Sequence, residues 1–425
     1  MTTARYHVGD VFDVLSSLPD DSVDLVMSSP PFLALRSYLP ADHPDKGLEI
    51  GSEATPAEFL DTMLDVVEAC DRVLAPHGSL VFELGDTFAG SGGAGGDYQP
   101  GELRDGQPRF DGSAVRRRPD GAGGKVYRGG ARQPDKEGAG WPLDKSLCGI
   151  PTLFAWSLAY GRNLLRPERT TPQWRIRNLV VWARPNPPVG ALGDKFRPAT
   201  SYLTVATKSR TRWFDLDAVR TEAKVQMGRE VDGNNSKGSD DSSFRFAKRV
   251  DSNPAGAPPL DYWEIPPHGY RGSHYAVYPE ALCERPILSM CPEWVCRTCG
   301  EPRRRITGDT PELADAKRRF KGNSGGLERG LKKDRVTRVD VSGARETLGW
   351  TECGHDDYRR GVVLDPFGGS GTTAAVACRL GRDAVLIDLD ERNAELARAR
   401  VGQYGVLEVV TRDGSTSAHG QGALL

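Results

Sequence analysis

Val23-Asp24-Leu25-Val26-Met27-Ser28-Ser29-Pro30-Pro31-Phe32 is the stretch from which the rest of the chain can be read. Val23 to Met27 is a short apolar, β-branched run and predicts a buried strand. Two prolines fix φ and donate no backbone N–H, so the strand must end in a rigid, extended loop. That loop presents the Ser29 hydroxyl, the Pro30 carbonyl and the Phe32 ring together. A flat aminated heterocycle suits this set: its ring stacks on Phe32 while its amine donates to Ser29 and to the Pro30 carbonyl. A plain strand with a Pro-Pro turn is the alternative that these residues alone leave open.

Upstream, Tyr6-His7-Val8-Gly9-Asp10 and then Val11 to Leu18 read as strand, turn and short helix. Asp10 either caps that helix or meets a ligand, and position alone favours the cap. Downstream, Thr55-Pro56-Ala57-Glu58 opens a helix with an N-cap, a first-position proline and an acid in the first turn. Phe59, Met63, Val66, Val67, Cys70, Val73 and Leu74 supply its apolar stripe. Pro76-His77-Gly78 is expected to end it before a strand from Ser79 to Leu84. This βαβ rhythm predicts a parallel sheet with helices on its faces. Another helix is expected over Pro151 to Gly161, with strands over Asn178 to Ala183 and Tyr202 to Ala206.

The 425 residues allow one large domain with insertions, or two to three ordinary ones. With no long apolar run and no basic-then-apolar start, neither a membrane span nor a secretory signal is expected. The eight cysteines, one tight group apart, are scattered, which fits a reducing, cytoplasmic setting. A net charge of −2 places any nucleic-acid contact in local patches. Residues 89–140 are rich in Gly, Arg and Asp, and residues 217–260 are polar; both read as loops.

The second informative stretch is Val362-Val363-Leu364-Asp365-Pro366-Phe367-Gly368-Gly369-Ser370-Gly371-Thr372-Thr373. It predicts a buried strand, a glycine turn and a helix from Thr372 to Leu380. A strand over Ala384 to Ile387 then ends at Asp388, before a helix from Asn393 to Val401. Such a turn lets backbone approach a ligand closely beside a helix N-terminus. A carboxylate about 20 residues later can hold ribose hydroxyls. Alone this signals an adenosine-containing cofactor; it is no P-loop, since no Gly-Lys-Ser/Thr follows.

Taken together, Ser29-Pro30-Pro31-Phe32 early and Asp365 to Thr373 late resemble the amino-group DNA methyltransferases. Their order resembles the β class, a circular permutation of the usual arrangement. Gly9-Asp10 resembles the cofactor-adenine motif, and Asp388 matches the acid that holds the cofactor ribose. Trp182, Pro185, Asn186 and Pro187 resemble a Trp-Lys-Pro-Asn-Pro segment, with Arg184 in place of lysine. His274-Tyr275-Ala276-Val277-Tyr278-Pro279 resembles the segment that lines the methionine pocket.

The resemblance implies an α/β, Rossmann-like fold with a mostly parallel twisted sheet, and S-adenosylmethionine as cofactor. It assigns catalysis to Ser29, Pro30, Pro31 and Phe32. The implied cofactor contacts are Gly9, Asp10 and Ser28, then His274, Tyr275, Ala276 and Tyr278. The late motif adds Asp365, Pro366, Phe367, Gly369, Ser370, Gly371, Thr372, Thr373 and Asp388. Serine before Pro-Pro-Phe resembles the N4-cytosine branch, with N6-adenine as the alternative. A C5-cytosine enzyme is disfavoured because no cysteine follows a proline. A nucleotide-dependent oxidoreductase leaves Ser29 to Phe32 unexplained, and a zinc-ribbon nucleic-acid binder leaves the glycine turn unexplained.

Cys296-Arg297-Thr298-Cys299-Gly300 resembles a zinc knuckle, and Cys353-Gly354-His355 follows later. Cys296, Cys299 and Cys353 are the expected ligands of a structural zinc ion, with His355 as the fourth and Cys291 as its alternative. Between them, residues 302–338 hold 12 Lys/Arg against five acids, a local net charge of +7. Next to a DNA enzyme, that stretch reads as a phosphate-contacting arm.

The expected organisation follows from these pieces. Residues 1–88 form the catalytic half of the core, 89–140 an inserted loop, 141–216 a core continuation, and 217–260 a polar loop suited to target recognition. Residues 261–290 return to the core, 291–360 form a zinc-ribbon-like basic insertion, 361–412 the cofactor half, and 413–425 a flexible tail. The expected partner is double-stranded DNA, in the cytoplasm of a bacterial or phage-infected cell. A companion restriction endonuclease, and the choice between monomer and homodimer, stay open.

Overall fold

Every residue from Val23 to Ser28 is buried, so this strand has protein on both faces and the sheet is built outward from it. A computed structural model describes residues 1–34, 38–39, 42–89, 115–117, 125–127, 140–143, 145–187, 195–221, 256–267, 278–311, 314 and 345–419. The chain divides into two compact units: Met1–Phe214, Asp261–Pro302 and Asp357–Leu425 form the first, and Asp215–Leu260 with Arg303–Asp356 form the second.

In chain order the first unit opens with β1 (Thr2–Val8), α1 (Val11–Ser17), β2 (Val23–Ser28), α2 (Pro56–Val73) and β3 (Leu74–Leu84). A short ribbon, β4 (Val115–Arg117) with β5 (Lys125–Tyr127), precedes α3 (Ile150–Tyr160), β6 (Arg175–Ala183), β7 (Thr200–Thr207) and β8 (Tyr262–Glu264). Then come α4 (Glu280–Met290) and β9 (Trp294–Cys296). The second unit holds β10 (Arg305–Asp309) and β11 (Arg345–Trp350). The first unit resumes with β12 (Tyr358–Arg360), β13 (Val362–Asp365), α5 (Thr372–Arg379), β14 (Asp383–Asp388), α6 (Arg392–Val401), β15 (Gly405–Val410) and β16 (Thr416–His419).

Ten strands form one sheet in the order β16-β15-β1-β14-β13-β2-β3-β7-β6-β8. The strands from β15 to β3 run parallel, while β7 and β16 run against their neighbours. Side chains of β2 alternate between two cores. Leu25 and Met27 join the core built with α4, α5 and α6; Val26 joins the core built with α2 and α3. The α/β, Rossmann-like architecture expected from the sequence is the one observed. Because β13 and β2 are neighbours and their connections diverge to opposite sides of the sheet, a crevice opens at their carboxyl ends.

Two expectations change. Pro76-His77-Gly78 does not separate helix from strand: α2 stops at Val73 and β3 begins at Leu74, with the register shifting between Val23 and Leu25. The segment is held in the strand because His77 reaches the β2 side chain Asp24. The tail is not wholly flexible either, since β16 pairs with β15 through Val410↔Thr416 and three further pairs. Asp215–Leu260 clusters with Arg303–Asp356 in the second unit. Arg305 Nε lies 2.8 Å from Asp215 Oδ2 within that unit, and its guanidinium stacks on Trp350. Among the described residues, no helix is long and apolar enough to cross a membrane.

Asp24 is the polar exception in β2 and is fully buried. It accepts hydrogen bonds from His77 Nε2 at 2.9 Å, Arg359 Nη1 at 2.5 Å and the Val362 amide at 2.7 Å. One carboxylate thereby ties β2, β3, β12 and β13 together. Burial alone raises its pKa, but the His77 and Arg359 hydrogen bonds and charges outweigh burial and hold it below the usual range.

Candidate active site

The two motifs meet on one buried carboxylate. Ser28 Oγ donates to Asp365 Oδ1 at 2.5 Å, Phe367 N to the same oxygen at 3.1 Å, and Tyr278 Oη to Oδ2 at 3.1 Å. Thr373 Oγ1 donates to Oδ2 as well. Burial pushes the Asp365 carboxyl up, and these donors pull it back. Ser28, Asp365 and Thr373 thus act as internal ties behind the cavity wall. Their polar atoms are spent on holding β2, β13 and α5 in register.

Beyond Asp365 the chain turns on glycine. Gly371 caps α5 with φ of 79°, and a Cβ there would meet Ala397 Cβ at 2.8 Å, so α6 closes against bare backbone. Gly371 too stays off the cavity wall, while Pro366, Phe367, Gly369, Ser370 and Thr372 line it. Gly369 is fixed from two sides, its carbonyl accepting Tyr6 Oη at 2.9 Å and its amide donating to Asp388 Oδ2 at 2.8 Å.

Asp388 ends β14 and lines the cavity. Its Oδ1 accepts the Asp390 amide at 2.8 Å and Asn393 Nδ2 at 3.1 Å. Burial and the Asp390 charge push its carboxyl up to about 6, against these hydrogen bonds. The motif resemblance gives Asp388 a ribose diol to hold; a carboxylate would accept from it better than a carboxyl, so that role predicts cofactor affinity falling as pH drops through about 6. Isothermal titration with S-adenosylhomocysteine between neutral pH and pH 5 checks this. Asp388→Ala should bind about 10-fold or more weakly, since hydrogen bonds to a charged group contribute about 1.5–3 kcal/mol, and its pH dependence should flatten.

The cavity encloses about 170 Å³ and is lined from both motifs. Gly9 and Asp10 are among the lining residues. Asp10 also does what its position suggested, capping α1 by accepting the Phe12 and Asp13 amides at 2.9 and 3.3 Å. Tyr278 reaches the wall, whereas His274, Tyr275 and Ala276 lie outside the described residues. Sequence reasoning missed Tyr38, Leu39, Leu48, Glu49 and Ile50, from the loop between β2 and α2, and Asp390 and Asn393 beside Asp388. The loop residues carry no periodicity that could have flagged them. The Asp390-x-x-Asn393 helix start could have been noticed, because its polar groups follow a strand-ending acid.

On the target side, Ser29, Pro30, Pro31 and Phe32 line the same cavity. Ser29 Oγ donates to Glu83 Oε2 at 2.6 Å. Burial lifts the Glu83 carboxyl above its ordinary range, while Ser201, Ser29 and the Arg184 charge act in the other direction. The Phe32 ring packs partly into the core, leaning on the backbone of Gly85. Trp182 is buried and donates Nε1 to the Ile265 carbonyl at 2.9 Å, with Arg184 over its ring.

The cysteines form two local arrangements. In the first unit Cys296 N donates to Glu301 O and Gly300 N to Cys296 O, both at 3.0 Å, closing a tight turn around Cys299. In the second unit Cys353 Sγ lies 3.5 Å from His355 Nδ1. Cys291, the alternative ligand, is buried in the apolar core, its thiol pushed well up by burial. Of the basic stretch, only Arg303, Arg304 and Arg305 among the twelve cations lie within the described residues.

A sequence profile of the N6/N4 methyltransferase family, described as DNA methylase, matches residues 23–297 and 357–399. The chain therefore belongs to this family and is an S-adenosylmethionine-dependent DNA methyltransferase of the amino-methylating kind. It is 22% identical over 401 residues to the type II methyltransferase M.SmaI of Serratia marcescens, covering 94% of this chain and 91% of that one. It is 26% identical over 283 residues to M.Cfr9I of Citrobacter freundii, covering 66% and 70%. Among solved structures, the cytosine-N4-specific PvuII DNA methyltransferase aligns with a TM-score of 0.44 and 15% identity, over 93% of this chain and 86% of that one.

Proposed function

We propose that the chain methylates the N4 amine of cytosine in a duplex DNA site, with the target base flipped into the crevice. The supporting observation is that Ser29-Pro30-Pro31-Phe32 forms one wall of the cavity whose other wall is the glycine turn and Asp388. The residues fit S-adenosylmethionine: bare backbone at Gly369 for close approach, an acid at Asp388 for a ribose diol, and Val11, Ile387 and Ile50 as apolar walls for a heterocycle. Bound there, the cofactor supplies an electrophilic methyl group on sulfonium. Ser29 and the Pro30 carbonyl accept from the amine hydrogens, which lets the nitrogen pyramidalise. The amine so held would take the methyl group that the cofactor supplies, and its proton would leave to water. Flipping the base costs a few kcal/mol, which stacking on Phe32 partly offsets. Positioning and electrostatics supply the rest.

The test is tritiated methyl transfer from S-adenosylmethionine to mixed-sequence DNA, followed by nucleoside digestion and mass spectrometry. A 4-methylcytosine peak is expected. A 6-methyladenine peak would keep the chemistry and move the enzyme to the adenine branch. The type II names of the relatives support a restriction–modification setting in a bacterial cytoplasm.

A structural zinc ion held by Cys296, Cys299, Cys353 and His355 is the second part of this reading. Its support is the knuckle turn at Cys299 and the close Cys353–His355 pair. Purified protein should carry one zinc per chain by atomic emission, and Cys299→Ser should lose most of it and its thermal stability. A metal-free protein whose Cys299 and Cys353 thiols react freely with a disulfide reagent would contradict the assignment.

A further inference from the structure

The end of β3 lies beneath the target loop and touches it twice. Glu83 is 3% exposed, and its Oε2 holds the only proton of the Ser29 hydroxyl at a donor–acceptor distance of 2.6 Å. Two residues on, a Cβ at position 85 would fall 2.5 Å from Phe32 Cε2 and 3.0 Å from Cδ2. Ring and backbone are in contact only because residue 85 has no side chain.

We propose that Glu83 and Gly85 are positioning residues for amine methylation: the carboxylate makes Ser29 an obligate acceptor, and the bare backbone sets the depth of the Phe32 ring. The inference rests on the amine-methylation reading above and deepens it. A free serine hydroxyl can donate as well as accept. If Ser29 donated to the target nitrogen, it would occupy the lone pair that has to attack the methyl group. With its proton committed to Glu83, Ser29 turns only lone pairs toward the base. The ring matters for the same reason, since a stacking surface displaced outward carries the amine away from both acceptors.

Glu83→Gln tests the first half, because a glutamine amide can donate to Ser29 Oγ and release the hydroxyl proton toward the base. Single-turnover methyl transfer with the full chain should slow about 10- to 100-fold, with S-adenosylhomocysteine affinity unchanged. Glu83→Asp, which keeps the charge, should recover part of the rate. In a Ser29→Ala background, Glu83→Gln should cost nothing further, since a residue acting through Ser29 has nothing left to orient. Gly85→Ala should slow transfer about 10-fold with unchanged cofactor affinity. A Glu83→Gln enzyme at the wild-type rate, or a loss that adds fully to that of Ser29→Ala, would overturn the proposal. Wild-type protein that binds S-adenosylhomocysteine but methylates no DNA would overturn the reading beneath it instead.

Discussion

Ser29→Ala is expected to lower methyl transfer by about 100- to 1000-fold, or about 2.7–4 kcal/mol of barrier, the range seen when one preorganised polar contact is lost at a reacting centre. Cofactor affinity should stay within about twofold, because Ser29 belongs to the wall formed by the target loop, and the ties that shape the cofactor wall run through Ser28 and Asp365 instead. Phe32→Ala should follow the same pattern, with part of its loss appearing as weaker DNA binding, since the ring is expected to offset the cost of flipping. Single-turnover kinetics beside calorimetric titration of S-adenosylhomocysteine separate the two effects. Equal loss of cofactor binding in both variants would mean that the loop is scaffold.

Asp24→Ala should cost about 3–5 kcal/mol of stability, because it leaves the half-buried Arg359 guanidinium without its carboxylate partner. Three donors on three neighbouring elements lose their acceptor together. Asp24 also gives a signed pH dependence. Its folded pKa is depressed, so its contribution is fully present above the unfolded carboxylate value near 4 and is lost as pH falls through the lower folded value. Wild-type protein should therefore lose stability on acidification below about pH 4, and Asp24→Asn should show a shallower decline. Denaturant melts at several pH values check both. An unchanged midpoint for Asp24→Ala would show that the cluster is dispensable.

Sheet, helices and cofactor turn were legible because their residues repeat at the periods that burial imposes. Val23 to Met27 read as a strand from its apolar run, and the stripe from Phe59 to Val73 matches the buried face of α2. The antiparallel placement of β7 was not legible, since strand direction leaves no mark in a short apolar segment. The site was half legible. Ser29, Phe32, Gly369 and Asp388 sit in motifs, whereas Glu83 stands in an apolar strand and becomes meaningful only beside Ser29. Ser28, Asp365 and Thr373 show the converse: polar residues inside a ligand motif can be consumed in holding its shape.

The pairing of β2 with β13, Val363 beside Leu25, has a consequence in time. These partners stand more than 330 residues apart, and the cradle of Pro366 to Asp388 follows the later one. A ribosome makes about 5–20 residues per second, so the target loop exists for tens of seconds before the strand that completes its cavity leaves the exit tunnel. During that interval the nascent chain carries one half of a methyl-transfer centre and cannot act. Activity switches on only once the segment that begins at Val362 has been made, and a message cut short before Val362 yields a silent product.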